Sequence, residues 1–189
     1  SVELPNLISK IKFDKTMRWN SSKVAFSRPI RWLMALFGDQ LVPFGYAGLS
    51  TQKITRGLRF LDPADISINN PKDYFTALNQ QGIILDQAER KRAIRDQVTR
   101  ILSDSGADPV IPEDLLDEVT NLVEAPTALR GEFEEKHLAL PKEVLISVMK
   151  KHQRYFPLQK AGSLLPFFII VRNGDGRHED IVAYRNAQV

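Results

Sequence analysis

Two arginines flank a proline in Arg28-Pro29-Ile30-Arg31, with Trp32 directly after them and Met17-Arg18-Trp19 shortly before. The proline ring fixes the backbone between the two guanidinium groups. Arginine's planar fork grips phosphate bidentately, and neighbouring aromatic rings stack on bases or on a guanidinium. The structural alternative is that Trp19 and Trp32 anchor a core, with Arg28 or Arg31 paired to the acidic stretch at 113–118. A second cluster, Lys150-Lys151-His152-Gln153-Arg154-Tyr155, mixes the side chains that meet phosphate and single-stranded bases. Cations at a helix C-terminus also gain from the helix dipole, and His152 alone reads as a capping residue. The third cluster is Thr55-Arg56-Gly57-Leu58-Arg59-Phe60. In a strand, Arg56 and Arg59 project to opposite faces, so one groove takes both only where Gly57 bulges the strand.

Other chemistries lack their residues. No glycine-rich loop with a following lysine is present to cradle phosphates. The three histidines, His137, His152 and His178, never stand at the i, i+4 spacing that puts two imidazoles on one metal. Asn173-Gly174-Asp175-Gly176 lacks the further acids of a calcium loop and reads as a turn. No Gly-x-Ser-x-Gly elbow occurs. The adjacent acids Glu113-Asp114 and Glu134-Glu135 point apart on a helix or strand, which suits a solvated face better than paired acid–base work. The chain has no cysteine, so disulfides and thiol catalysis are excluded and a reducing compartment fits. The expectation is no catalytic residue, no metal and no cofactor in this chain.

The net charge of +3 hides an uneven distribution. From 10 to 31, seven basic residues face only Asp14; from 150 to 160 there are four and no acid; from 113 to 135, eight acids face only Arg130. If the two basic segments meet in the fold, they make a positive face suited to a polyanion. A composition of 43% apolar and 26% charged residues is that of a globular protein. No apolar run approaches the ~20 residues that span a bilayer, so no membrane partner is expected. Ser1-Val2-Glu3-Leu4-Pro5 lacks both the plan of a signal peptide and an initiator methionine, and the sequence reads as a segment of a longer chain. Its 189 residues, with no dividing linker, read as one domain spanning 1–189.

The elements that must position these residues follow from periodicity. Apolar residues at 4, 7, 8 and 11 predict a short helix after Pro5. Residues 31–37 and 40–46 predict a hairpin about Gly38-Asp39, with Pro43 placing its second strand at an edge or bulge. Strands are expected at 55–61 and 65–68. Asn70 and Pro71 open a helix that Gly82 ends. Asp86 with Glu89 caps another, carrying Ile94, Val98, Ile101 and Leu102 to Gly106. Residues 112–123 place Leu115, Leu116, Val119, Leu122 and Val123 on one face with the acids outward. A strand at 127–133 follows, then a helix from Pro141 bearing Val144, Leu145, Val148 and Met149, then a hairpin of 155–158 and 165–171 about Ala161-Gly162-Ser163. Strands at both ends with helices between them predict an α+β fold with a mixed, mainly antiparallel sheet.

Met-Arg-Trp at 17–19, Arg-Pro-Ile-Arg-Trp-Leu at 28–33, Gly-Leu-Arg-Phe at 57–60, Glu-Val-Thr-Asn-Leu-Val-Glu-Ala-Pro at 118–126, Leu-Pro-Lys-Glu-Val-Leu at 140–145, His-Gln-Arg-Tyr-Phe at 152–156 and Phe-Phe-Ile-Ile-Val-Arg-Asn at 167–173 occur in one order. In that order and spacing the chain resembles the beta subunit of the heterotetrameric glycyl-tRNA synthetases over essentially its whole length. Two departures stand out: Leu58 where the family has histidine, and Arg185-Asn186-Ala187 where it has Gly-Asn-Glu. The resemblance implies a piece of a longer chain, similar to the editing-type domain of the phenylalanyl-tRNA synthetase beta subunit. It implies a place in an alpha2-beta2 tetramer whose alpha subunit binds ATP and magnesium and charges tRNA(Gly). The location implied is the bacterial cytoplasm, or a plastid or mitochondrion. A pocket for glycine gains little from a second hydrolytic sieve, so editing is expected to be lost or vestigial. On this reading Arg18, Arg28, Arg31, Arg56, Arg59, Lys151, His152, Gln153, Arg154 and Tyr155 meet tRNA. The alternatives are a structural module for subunit assembly or an editing hydrolase.

Overall fold

The structure, a computed structural model, describes residues 3–58 and 64–174. It divides into two compact units, Ser1–Gln81 and Gly82–Val189. No linker-like composition marks the border, which falls directly behind a helix, so a search for linkers leaves the chain whole.

The first unit is built from short pieces. Helix α1 (Glu3–Ser9) is followed by an antiparallel pair, β1 (Met17–Arg18) and β2 (Ala25–Phe26). Next come β3 (Leu33–Met34), β4 (Leu36–Phe37) and β5 (Gln40–Leu41), then β6 (Gly45–Tyr46) and β7 (Leu49–Gln52). The expected turn at Gly38-Asp39 joins β4 to β5, with Gly38 at φ +60°, but each strand is two residues long rather than seven. Pro43 cannot donate to a ladder, and the chain breaks there. A second hairpin, unforeseen, joins β6 to β7 through Ala47 and Gly48 at φ +55° and +79°, the left-handed pair that a tight two-residue turn requires. Strand β7 also takes β3 on its other side in parallel. The buried Thr51 hydroxyl donates to Val42 O at 3.0 Å and accepts from Phe44 N at 3.1 Å, which satisfies the broken segment between β5 and β6.

Strands β8 (Ile54–Thr55) and β9 (Ile66–Ser67) pair antiparallel. The strand expected at 55–61 therefore stops at Thr55, and its residues 59–61 lie outside the described residues. Helix α2 (Pro71–Gln80) starts as read, with the Asn70 side chain accepting from Lys72 N and Pro71 in the first turn. Gly82 follows its end at φ +74°.

The second unit holds the larger core. Helix α3 (Gln87–Asp104) begins at Asp86, whose carboxylate accepts from Glu89 N at 2.8 Å, and is followed by α4 (Glu113–Leu122). Strand β10 (Pro126–Glu132), helix α5 (Lys142–Val148), β11 (Phe156–Lys160) and β12 (Ser163–Asn173) complete it, with a 3-10 turn at Glu135–Ala139 and a π turn at Met149–Gln153. The sheet order is β10-β12-β11, all antiparallel. Period-two alternation along β12 feeds two cores. Ile169 joins Phe156 and Leu158 beneath Ile94, Val98 and Leu102 of α3 and Leu115, Leu116 and Val119 of α4. Phe168 and Ile170 join Leu129, Tyr155 and Met149 on the other face, against Leu145 and Ile146. The unit is thus a three-stranded sheet between two helical layers.

Two helix faces differ from expectation. Leu122 is exposed and Thr120 is buried in its place, its hydroxyl bonded to Leu116 O at 2.7 Å; α4 ends at Leu122, so Val123 reaches the core from extended backbone. On α5, Leu145 packs against the core as expected, with Met149 just beyond the helix, but Val144 and Val148 are exposed and Ile146 takes their place. The free edge of β10 is closed by a side chain: the Gln97 amide accepts from Ala128 N at 2.8 Å and donates to Pro126 O at 3.1 Å. With β3–β7 the only parallel pairing among the described residues, the fold is α+β and mainly antiparallel.

Candidate nucleic-acid interface

The basic residues singled out in the sequence separate into two environments, one in each unit. In the first unit, all seven cations between 10 and 31 (Lys10, Lys12, Lys15, Arg18, Lys23, Arg28 and Arg31) are exposed. None of them has an ion-pair partner among the described residues. Arg18 projects from β1; Arg28 and Arg31 lie on irregular backbone on either side of Pro29 and Ile30.

The two tryptophans are surface groups, not the core anchors that one reading made of them. Trp19 is 42% exposed and Trp32 is 40% exposed. Strands of two residues give too narrow a sheet to enclose an indole, and each ring is instead held from one side. The Trp19 Nε1–H donates to Phe26 O at 2.9 Å, and Phe26 itself packs edge-on against Phe13 with ring centroids 4.6 Å apart. Over Trp32 lies the Arg56 guanidinium, 6.0 Å from the ring centroid, while Arg56 Nε donates to Asp65 Oδ1 at 2.6 Å. Arg56 stands just past the end of β8, so the strand alternation invoked for it does not operate; Arg59 lies outside the described residues. Nothing in the sequence pattern announced Asp65, which is nine residues from Arg56 and is brought to it by the β8–β9 pairing.

In the second unit the cations are largely engaged. The chain leaves α5 through the π turn and ends it at Arg154, a non-glycine residue at φ +58°. Arg154 Nε donates to Glu118 Oε1 at 2.8 Å and its Nη1 donates to His152 O at 3.1 Å. Lys150 Nζ lies 3.5 Å from Asp114 Oδ2. On the far side of α4, Lys91 reaches Asp117 at 2.5 Å and Glu113 at 3.3 Å, and Arg95 reaches Glu113 at 2.7 Å. The acids of α4 do point outward as read, but into a seam of ion pairs. The Asp117 partner raises the Lys91 pKa, and Arg95 lowers that of Glu113. The Leu115 backbone N–H, and after it Lys150, lowers that of Asp114.

His152 and Lys151 are exposed and Gln153 is half-buried. Tyr155 belongs to the core: its ring stacks on Phe168 with centroids 4.6 Å apart at 12°, and burial pushes its hydroxyl pKa up. The adjacent Phe156 fills the opposite core, so alternation decides which way Tyr155 faces, and that way is inward. Lys142, Lys150 and Lys151 line a groove of about 430 Å³ together with the carboxylates of Asp114, Glu118 and Glu143 and the apolar Leu115 and Ile146. Among the described residues no group of histidines and carboxylates is placed to hold a metal, and no helix is long and apolar enough to cross a membrane.

Fold and surface together define a two-unit α+β protein that presents, on its first unit, exposed indoles and cations without ion-pair partners among the described residues, and on its second a basic turn in which two cations are paired. A family model described as glycyl-tRNA synthetase beta subunit matches residues 2–189, and the chain belongs to that family. Among its relatives, the glycine–tRNA ligase beta subunit of Halalkalibacterium halodurans is 48% identical over 99% of this chain, and that of Clostridioides difficile is 46% identical over 98%. The Desulforamulus reducens beta subunit is 47% identical over 98%. The chain spans 27% of the length of each of these relatives.

Proposed function

We propose that this chain is the part of a glycine–tRNA ligase beta subunit that grips tRNA through its first unit, in support of ATP-dependent glycylation carried out by a partner alpha subunit in the cytoplasm. ATP and magnesium belong to that partner on this reading, as does the tetrameric assembly. The observation that carries it is the set of seven exposed cations between 10 and 31, without ion-pair partners among the described residues, with Trp19 among them and Trp32 directly after them. A cation without a protein partner releases counterions when it meets a phosphate, so binding energy is gained where no internal pair has to break.

The test is tRNA(Gly) affinity against salt for the chain and for a variant carrying Arg18→Ala, Arg28→Ala and Arg31→Ala together. Each lost phosphate contact flattens the log–log slope by about 0.7 to 0.9, so the triple variant loses about 2.4 if all three engage. A slope equal to that of the unaltered chain rejects the reading.

A role in assembly has its own support. Phe37 is 80% exposed, Phe75 65% and Leu7 63%, large apolar side chains that a partner subunit would cover. Co-purification with the alpha subunit in the absence of RNA would favour that role.

A further inference from the structure

We infer that the Trp32–Arg56–Asp65 triad is a stacking shelf for one unpaired nucleobase, distinct from the phosphate contacts around it. The inference rests on the RNA-binding reading of the first unit and assigns the triad a separate task within it.

The geometry separates Arg56 from the other arginines. Its guanidinium is bound to the Asp65 carboxylate at 2.6 Å, the only ion pair seen in the first unit among the described residues. A phosphate approaching Arg56 would meet that carboxylate as well, and the two negative charges repel, so Arg56 is a poor phosphate ligand. The carboxylate instead sets where the guanidinium lies, which is over the Trp32 ring at 6.0 Å from its centroid. The guanidinium thus stands at cation–π range from the indole on the surface, and Trp32 keeps 40% of its area exposed even with the guanidinium in place. An indole held in one orientation loses little freedom when a ring stacks on it, and every nucleobase has a π-face to offer. Arg31 precedes Trp32 directly and is exposed without an ion-pair partner among the described residues, so a backbone phosphate flanking the stacked base finds its cation one residue away. A base inside a duplex is already stacked on both sides, which makes an unpaired nucleotide the ligand.

Trp19 and Trp32 are the two tryptophans of the chain, so Trp19→Phe leaves Trp32 as the only indole reporter. In that background a single-stranded ribo-oligonucleotide is expected to quench the Trp32 fluorescence, and a blunt RNA duplex of equal phosphate number to bind with little quenching. Trp32→Ala is expected to weaken single-strand binding about tenfold while leaving the salt slope unchanged, and Trp32→Phe to retain most of the affinity. Asp65→Ala is expected to lower the single-strand preference by releasing Arg56 from the ring. Circular dichroism of each variant checks that the fold persists. Equal affinity of Trp32→Ala and the unaltered chain, or equal quenching by duplex, overturns this inference while salt-dependent binding keeps the broader reading standing. Absence of any salt-dependent RNA binding overturns both. A Trp32 response to the alpha subunit but not to RNA overturns it in favour of a protein contact.

Discussion

Replacing Asp114 by Asn together with Glu118 by Gln should add Lys150 and Arg154 to Lys151 as cations that the basic turn of the second unit offers to RNA. In the folded chain Lys150 and Arg154 stand 3.5 Å and 2.8 Å from those carboxylates. For either cation to meet a phosphate it must leave its partner or hold two anions at once, so the exchange of one anion for another releases few counterions. Neutralising the partners removes that competition without changing the size of the side chains. If each freed cation then contacts one phosphate, the log–log salt slope steepens by about 0.7 to 0.9 per cation, or about 1.6 for two. Between about 50 and 200 mM salt, a fourfold change, that added slope corresponds to about a tenfold additional loss of affinity, a difference that binding titrations resolve readily.

The fold should tolerate the change. Asp114 is 78% exposed and Glu118 45% exposed at the side chain, and exposed pairs of this kind contribute about 0 to 1 kcal/mol each. The assay is fluorescence anisotropy of labelled tRNA over a salt series, for the chain, the double variant, and single Lys150→Ala, Arg154→Ala and Lys151→Ala variants. Lys151 is the internal reference, since it stands in the same turn without an ion-pair partner among the described residues. Removing it should flatten the slope more than removing Lys150 or Arg154 from the otherwise unaltered chain. Two results refute the reasoning: a double variant with an unchanged slope, or a full loss of about 0.8 on removing Arg154 alone, which would show that the Glu118 pair withholds nothing.

Two further outcomes concern stability. A Cβ on Gly131 would overlap the ring of Phe168, which is buried and stacked on Tyr155, so Gly131→Ala should cost about 1 to 3 kcal/mol in a urea titration; an unchanged midpoint would show that the ring moves aside freely. The pKa values of Glu113 and Asp114 are lowered in the folded chain, so the stability they confer is present above the usual carboxylate range of about 4 and is lost as pH falls from there through their lowered values. Lys91, raised by Asp117, contributes below its ordinary value and ceases to as pH rises through the shifted one. Thermal melts from neutral to about pH 3 should therefore fall less steeply in a Glu113→Gln, Asp114→Asn variant, and equal acid limbs would contradict the seam's role.

The helical half of the fold was legible because its signals are local. Asn70 and Asp86 mark helix starts through side chains that act within three residues, Gly82 marks an end through its positive φ, and Ile94, Val98 and Leu102 repeat at the helical period. The closing hairpin was legible for the same reason, with Ala161 and Gly162 at positive φ between two apolar runs. The first unit was harder, since its strands are two residues long and a period-two pattern needs more length than that to register. The parallel contact of β3 with β7, eighteen residues apart at Leu33 and Thr51, leaves no mark on the residues between.

The candidate site shows the limit more sharply. Runs of lysine and arginine give the location of positive charge, yet the same signal was present at 10–31, where the cations have no ion-pair partner among the described residues, and at 150–154, where Asp114 and Glu118 take two of them. What separates the two is a partner thirty-six residues away, delivered by the packing of α4 beside the π turn. Arg56 makes the point within one unit: by type and spacing it belonged with Arg28 and Arg31, and Asp65 removes it from their company while fixing it over Trp32. A cation's work is set by the anion nearest to it in space. An unpaired guanidinium seeks a phosphate, whereas one already paired becomes a means of orienting its neighbour, and the neighbour here is an exposed indole.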